Sequence, residues 1–166
     1  AGFTSIDQSA LNSTGYIVTL ALMFIGASPG STGGGIKTTT IYTAVKASFA
    51  LLTGRQPVSF NRQISDSSVM KAFFVLIISL IVILLSVLLI SITEETLPLE
   101  SIVYEAISAY ATVGLSMGIT PLISSSGKLV IIMLMFFGRV GILSIISLFM
   151  RRTLDVKHIE GKVVIG

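Results

Sequence analysis

The stretch GYIVTLALMFIGA at residues 15–27 is apolar, and it is followed at residues 28–35 by SPGSTGGG. Apolar character then resumes at Ile36 and continues to Leu52. A helix needs roughly 20 apolar residues to cross the hydrocarbon core of a bilayer, so the first part is too short to cross alone. The two parts together therefore predict one membrane span that is broken in its middle.

The break itself must be shielded from lipid. Non-helical backbone survives at membrane depth only where it is buried in protein or lines a water-filled path, because lipid cannot hydrogen-bond its amides. We therefore predict that the break lines a cavity and acts as a flexible gate; the alternative is a tolerated kink packed between helices. The predicted gate residues are Ser28, Pro29, Gly30, Ser31, Thr32, Gly33, Gly34 and Gly35.

The break also resembles a phosphate-binding loop. The Walker A pattern requires a glycine, four residues and then Gly-Lys-Ser/Thr, whereas Ile36 here separates Gly35 from Lys37. The preceding segment is a predicted membrane helix, while a phosphate-binding loop follows a strand. A nucleotide-binding or ATP-driven transporter subunit using this loop is thus the disfavoured alternative function.

Two further apolar runs predict spans at Ala72–Ile92 and Leu129–Phe149, the second with Arg139 at its centre. The chain is 52% hydrophobic and 11% charged with a mean hydropathy of +0.94, against roughly 25% charged residues in soluble domains. The predicted fold class is an all-α integral membrane protein built of repeats: membrane helix, pore loop, membrane helix, with one broken helix.

Charge and cysteine usage exclude several classes of function. The net charge is +3, but the basic residues flank apolar runs and form no single stripe, so we expect no nucleic-acid partner. There is no Cys and the one histidine is His158, which excludes disulfide frameworks and zinc sites.

The charges also predict the topology, because loops rich in Lys and Arg stay in the cytoplasm. Basic residues surround the connection after the broken span and follow the last span, so both regions, including the C-terminus, are predicted to be cytoplasmic. The acidic connection after Ile92 is predicted to be external. The basic residues of these two regions are Lys37, Lys46, Arg55, Arg62, Lys71, Arg151, Arg152, Lys157 and Lys162.

The external connection predicts a short re-entrant helix. Pro98 suits a first helical turn, and apolar residues at helical spacing occur from Leu99 to Ala111. The sequence TVGLS follows at residues 112–116, and a similar pattern, AGFTSI, occurs at residues 1–6. This internal repeat favours a helix that returns through an extended glycine segment; an ordinary surface loop is the alternative.

Thr-Val-Gly also begins the carbonyl-lined filter of potassium channels, in which backbone oxygens replace the water around the ion. Glycine permits the backbone angles that turn carbonyls toward an axis. The channel pattern continues Tyr-Gly whereas this chain has Leu115 and Ser116, so we expect fewer or weaker ion sites. The predicted filter residues are Ala1, Gly2, Phe3, Thr4, Thr112, Val113, Gly114, Leu115 and Ser116.

These motifs carry a resemblance to a known family. The stretches GASPGSTGGGIKTT at 26–39, ATVGLS at 111–116 and FGRVG at 137–141 resemble the Trk/Ktr/HKT superfamily of potassium transporters. EGKVVIG at 160–166 is similar to the end of the Ktr-type membrane subunit. The resemblance implies the end of a third repeat at 1–53, a cytoplasmic connection at 54–71, a fourth repeat at 72–150 and a cytoplasmic tail at 151–166.

The resemblance also implies a function and partners. We expect a pore-forming subunit, not an enzyme, that takes up K⁺ across the plasma membrane, with K⁺ at the filter residues and no organic cofactor on the chain. The expected partners are the lipid bilayer, a second copy of the subunit in a homodimer, and a KtrA-like cytoplasmic nucleotide-binding ring. The family's third filter follows a threonine that would precede Ala1, so we expect more chain there.

Arg139 is the remaining candidate, because an arginine inside a span costs about 2.5–3.5 kcal/mol on insertion scales. The spacing from Gly114 to Arg139, applied to Gly2, arrives at residue 27, at the edge of the break. We therefore predict that Arg139 lies at the depth of the gate and acts electrostatically on the pore. The alternative is a structural arginine that caps buried carbonyls.

Overall fold

The computed structural model describes residues 2–59 and 62–141. Within this part of the chain the structure is mainly helical, and the predicted all-α class is confirmed at that level. The helices are α1 (Ser13–Phe24), α2 (Thr38–Leu52), α3 (Asp66–Thr93), α4 (Leu99–Tyr110) and α5 (Ser125–Val140). A short antiparallel hairpin pairs β1 (Val58–Ser59) with β2 (Arg62–Gln63).

Helix α3 contains the predicted span at 72–92. Ser65 caps its first turn by accepting a hydrogen bond from the amide of Ser68, and Asp66 adds a favourable negative charge there. Among the described residues it is the single helix long and apolar enough to cross a membrane. Leu84 and Leu88 are exposed on one side of α3, while Ser79 and Ile90 are buried on the other.

The stretch that was predicted to be a broken span forms two helices. Helix α1 ends at Phe24 and α2 begins at Thr38, with a connection that is mostly irregular. An isolated parallel bridge joins Ile25 to Ile36, so the two ends of the break lie side by side. The chain therefore turns away after α1 and comes back beside the end of α1 before α2 begins.

The structure corrects the prediction of one continuous helix over residues 129–149. Helix α5 begins earlier, at Ser125, and ends at Val140, where Gly141 takes a φ of 82° that a helix cannot continue. Arg139 consequently lies in the last turn of α5 and not at the centre of a helix. A positive charge at that end is favourable, because the helix carboxyl end carries partial negative charge. The rest of the predicted span lies outside the described residues.

Helix α4 is the centre of the fold. It packs against α1, α3 and α5, and Ile102, Tyr104 and Ala106 on it are 0–1% exposed. Residues 99–110 thus form a helix that is largely buried from Ser101 onward, and the alternative of a surface loop is wrong. The hydroxyl of Tyr110 lies 2.6 Å from Ser79 Oγ on α3, which satisfies both polar groups inside the core.

Candidate functional site: two glycine segments and the broken span

The two glycine segments predicted from the internal repeat lie next to each other. Gly2 and Gly114 have φ values of 70° and 87°, in the region that side chains disfavour. A Cβ added to Gly2 would collide with the carbonyl oxygen of Gly114, so only glycine permits this approach. Phe3 and Thr4 are exposed, and Ala1 lies outside the described residues.

The second segment, residues 112–116, is held directly by the end of α4. The amide of Thr112 donates to Ala109 O at 3.1 Å, and that of Val113 donates to Ser108 O at 3.0 Å. Thr112 has a φ of 54°, which is unusual for a residue with a side chain. The carboxyl end of α4, with its partial negative charge, therefore adjoins the segment, and this polarity favours a cation.

Glu105 contacts the segment on the far side of Gly114. Its Oε1 accepts hydrogen bonds from the hydroxyls of Ser116 and Thr120. A cavity of about 270 Å³ lies beside these groups, lined also by Ser108 and Thr112. Glu105 belongs to the acidic connection after Ile92 that was predicted to be external, and the charge pattern does not predict this contact. The available signal was an acidic residue in the middle of a predicted pore helix.

The predicted gate loop, residues 28–35, contacts the predicted filter segment, residues 112–116. The amide of Gly34 donates to Thr112 Oγ1 at 2.7 Å, and the amide of Gly35 donates to Gly138 O on α5 at 3.3 Å. A Cβ on Gly34 would come within 2.6 Å of the Thr112 side chain, so this contact also requires glycine. Gly33 and Gly35 are partly buried, whereas residues 28–32 are exposed. One half of the loop is thus anchored and the other half is open.

Lys37 closes the anchored half of the loop. Its Nζ donates to the carbonyl oxygen of Gly33 at 2.5 Å. The sequence pattern places this lysine in the cytoplasmic charge group and near the position of a Walker A lysine, and does not predict this contact. A helix, α1, precedes the loop where a phosphate-binding loop would have a strand, and the lysine already binds a loop carbonyl. The nucleotide-binding alternative is not favoured.

Arg139 neighbours the loop through the backbone of its own helix. Gly138, the preceding residue, accepts the hydrogen bond from Gly35, and the Arg139 side chain is exposed. The last turn of α5, the loop and Thr112 therefore adjoin one another. In the part of the chain that the structure describes, no three His, Cys, Asp or Glu side chains gather into a possible metal site.

Comparison with known proteins extends these observations. The family model of TrkH, described as a cation transport protein, matches residues 1–155. The Ktr system potassium uptake protein B of Bacillus subtilis is 38% identical over 168 residues, covering 100% of this chain and 38% of the relative. The potassium/sodium uptake protein NtpJ of Enterococcus hirae is 37% identical, with 100% of this chain and 39% of the relative covered.

A third relative, the Ktr system potassium uptake protein D of Bacillus subtilis, is 39% identical over 99% of this chain and 37% of its own length. The chain thus spans less than two fifths of the length of these three relatives. The family match extends over nearly the whole chain, including both glycine segments, the break and α5. The chain is a membrane protein that belongs to the TrkH family of cation transport proteins.

Proposed function

We propose that this chain forms part of a potassium uptake pore, in which residues 1–4 and 112–116 supply carbonyl oxygens that replace the water around K⁺. The observation that carries the proposal is the close approach of Gly2 and Gly114, both with positive φ, beside the carboxyl end of α4. The names of the relatives, which describe potassium uptake proteins, support the choice of ion.

The proposed mechanism uses backbone geometry and helix polarity. A dehydrated K⁺ is stabilised when several carbonyl oxygens replace its hydration shell. Positive φ at Gly114 turns the local peptide groups in a way that a residue with a Cβ resists. The negative end of α4 adds favourable potential for a cation at the same place. The same arrangement would disfavour an anion.

We also propose that residues 28–35 form the gate. Their anchored half contacts Thr112 and Gly138, while their exposed half is free of tight packing, so movement of the exposed half need not unfold the core. Arg139, one residue after Gly138, supplies positive charge near the gate and thereby raises the barrier for a cation. The contact between the gate and the filter segment supports a direct mechanical link between them.

We also propose how the chain is assembled in the membrane. The chain is expected to provide the third and fourth of four repeats, with a cytoplasmic C-terminus in the plasma membrane. A second copy of the subunit and a KtrA-like nucleotide-binding ring are the proposed partners. The share of the relatives' length that the chain covers, and the word "system" in two of their names, support this arrangement.

The proposal is tested by Gly114→Val in the full-length protein, expressed in a host that lacks its own potassium uptake. We expect growth at low external K⁺ to be lost while the amount of protein in the membrane is unchanged. Gly54→Val is the matched control, because Gly54 also has positive φ, at 62°, but has open space around it. Undiminished K⁺ uptake by Gly114→Val would refute the filter assignment.

A further inference from the structure

We propose that Glu105 is a positioning residue for the filter segment and that it sets discrimination between K⁺ and Na⁺. This inference rests on the proposed function and concerns the same site. Glu105 holds the chain after Gly114 against α4, and this contact fixes the carbonyls on either side of the glycine. The role is separate from binding the ion itself.

The filter segment has two anchors on one face of α4. Before Gly114, the amide of Val113 donates to the carbonyl of Ser108. After Gly114, the hydroxyl of Ser116 donates to Glu105 Oε1 at 3.2 Å. Ser108 and Glu105 are three residues apart in the helix and therefore lie on the same side of it. Gly114 therefore lies between two hydrogen-bonded anchors.

The second anchor is a network and not a single contact. Thr120 also donates to Glu105 Oε1, and its hydroxyl lies 3.1 Å from that of Ser116. The amide of Gly118 donates to Ser116 Oγ at 3.0 Å. One carboxylate thus holds the whole return of the chain from Gly114 to Thr120. Two hydroxyl groups donate to the same carboxyl oxygen, which suits an anchor.

The burial of Glu105 argues against an incidental contact. Its residue is 6% exposed, and Oε2 is buried with no partner among the described residues. A buried polar group without a partner is costly, so such a residue needs a compensating role or a bound water. The adjoining cavity, about 270 Å³, has room for water beside polar groups. An exposed neighbour on the same helix, Glu100, lacks all of these features.

The inference predicts a change in selectivity when the anchor is removed. Glu105→Ala and Ser116→Ala should each reduce the ratio of the Na⁺ KM to the K⁺ KM by roughly tenfold, the effect of losing one hydrogen bond. The double variant should lose little more than Glu105→Ala, because the change at Glu105 already removes the contact with Ser116. Glu105→Gln should retain most of the discrimination, since its amide oxygen still accepts from Ser116.

The measurement is competitive uptake of K⁺ and Na⁺ by the full-length protein, with Glu100→Ala as the matched control on α4. If the wild type takes up no K⁺, the proposed function fails. If the wild type takes up K⁺ and both Glu105→Ala and Ser116→Ala keep its discrimination, the inference on Glu105 fails and the proposed function stands. Should Glu105→Ala not reach the membrane, Ser116→Ala decides alone, because it removes only a hydroxyl.

Discussion

Thr112 is the residue that joins the filter segment to the gate loop. Its Oγ1 accepts the hydrogen bond from the buried amide of Gly34. Thr112→Val removes the acceptor at nearly constant shape and leaves that amide without a partner, at a cost of about 1–3 kcal/mol. We expect a lower unfolding temperature of the purified protein. Thr112→Ser retains the acceptor and should unfold near the wild-type temperature; equal losses in both variants would contradict the assigned bond.

Gly138 is a second position at which the structure leaves no room for a side chain. A Cβ at this position would collide with the carbonyl oxygen of Tyr110, where α5 crosses the end of α4. Gly138→Ala should therefore destabilise the protein by about 2–3 kcal/mol, the cost of overpacking a core. Gly54→Ala, at a position with open space, should have a smaller effect. Thermal unfolding in detergent compares the two, and equal stabilities would contradict the packing described.

At the scale of elements, the gate loop can be tested by deletion. Removing residues 31–34 should raise K⁺ flux and weaken control by the cytoplasmic partner, because the proposed obstruction is gone. The deletion also removes the bond from Gly34 to Thr112, so correct assembly must be checked in the same preparation. A correctly assembled variant whose flux falls to background would identify the loop as structural.

Arg139→Ala should likewise alter transport more than assembly.

The junction between α3 and α5 gives a prediction of pH dependence. Glu94, just beyond α3, accepts a hydrogen bond from the amide of Ser124 at 2.8 Å, and the hydrogen bonds with Ser124 lower its pKa below the ordinary 4.5. Its contribution to stability is complete above pH 4.5 and is lost as pH falls through the lowered pKa. Glu94→Ala should therefore unfold below the wild-type temperature at pH 7 and approach it at pH 3. A difference that is the same at both values of pH would exclude this role.

Some elements could be predicted from the sequence and others could not, for physical reasons. Helix α3 and the broken span follow from composition, because the length of an apolar run is set by the thickness of the bilayer. The end of α5 could not be predicted, because glycine can adopt either helical backbone angles or a positive φ. The surroundings of Gly141 in the fold decide between them. The contacts of Glu105 depend on how the chain folds back after α4, and the contact of Lys37 depends on the local turn of the break. The sequence pattern alone does not contain that information.

At the scale of the whole molecule, the described residues leave much apolar surface uncovered. Apolar side chains such as Leu22, Phe49 and Leu84 are exposed on several helices, as expected where lipid or further repeats would cover them. We therefore predict that this chain expressed alone supports no K⁺ uptake, and that uptake returns when the preceding repeats are expressed with it. The measurement is growth of an uptake-deficient host at low K⁺. Uptake by the chain alone would contradict the four-repeat pore.

The central claim is that a cation binds between the two glycine segments, and it is tested most directly by locating the ion. The measurement is anomalous diffraction from crystals of the full-length protein in Rb⁺, which substitutes for K⁺ and scatters strongly. We expect an anomalous peak coordinated by carbonyl oxygens of the Gly2 and Gly114 segments, and a weaker or absent peak in Gly114→Ala. Rb⁺ bound elsewhere along the pore, with no peak between these two segments, would contradict it.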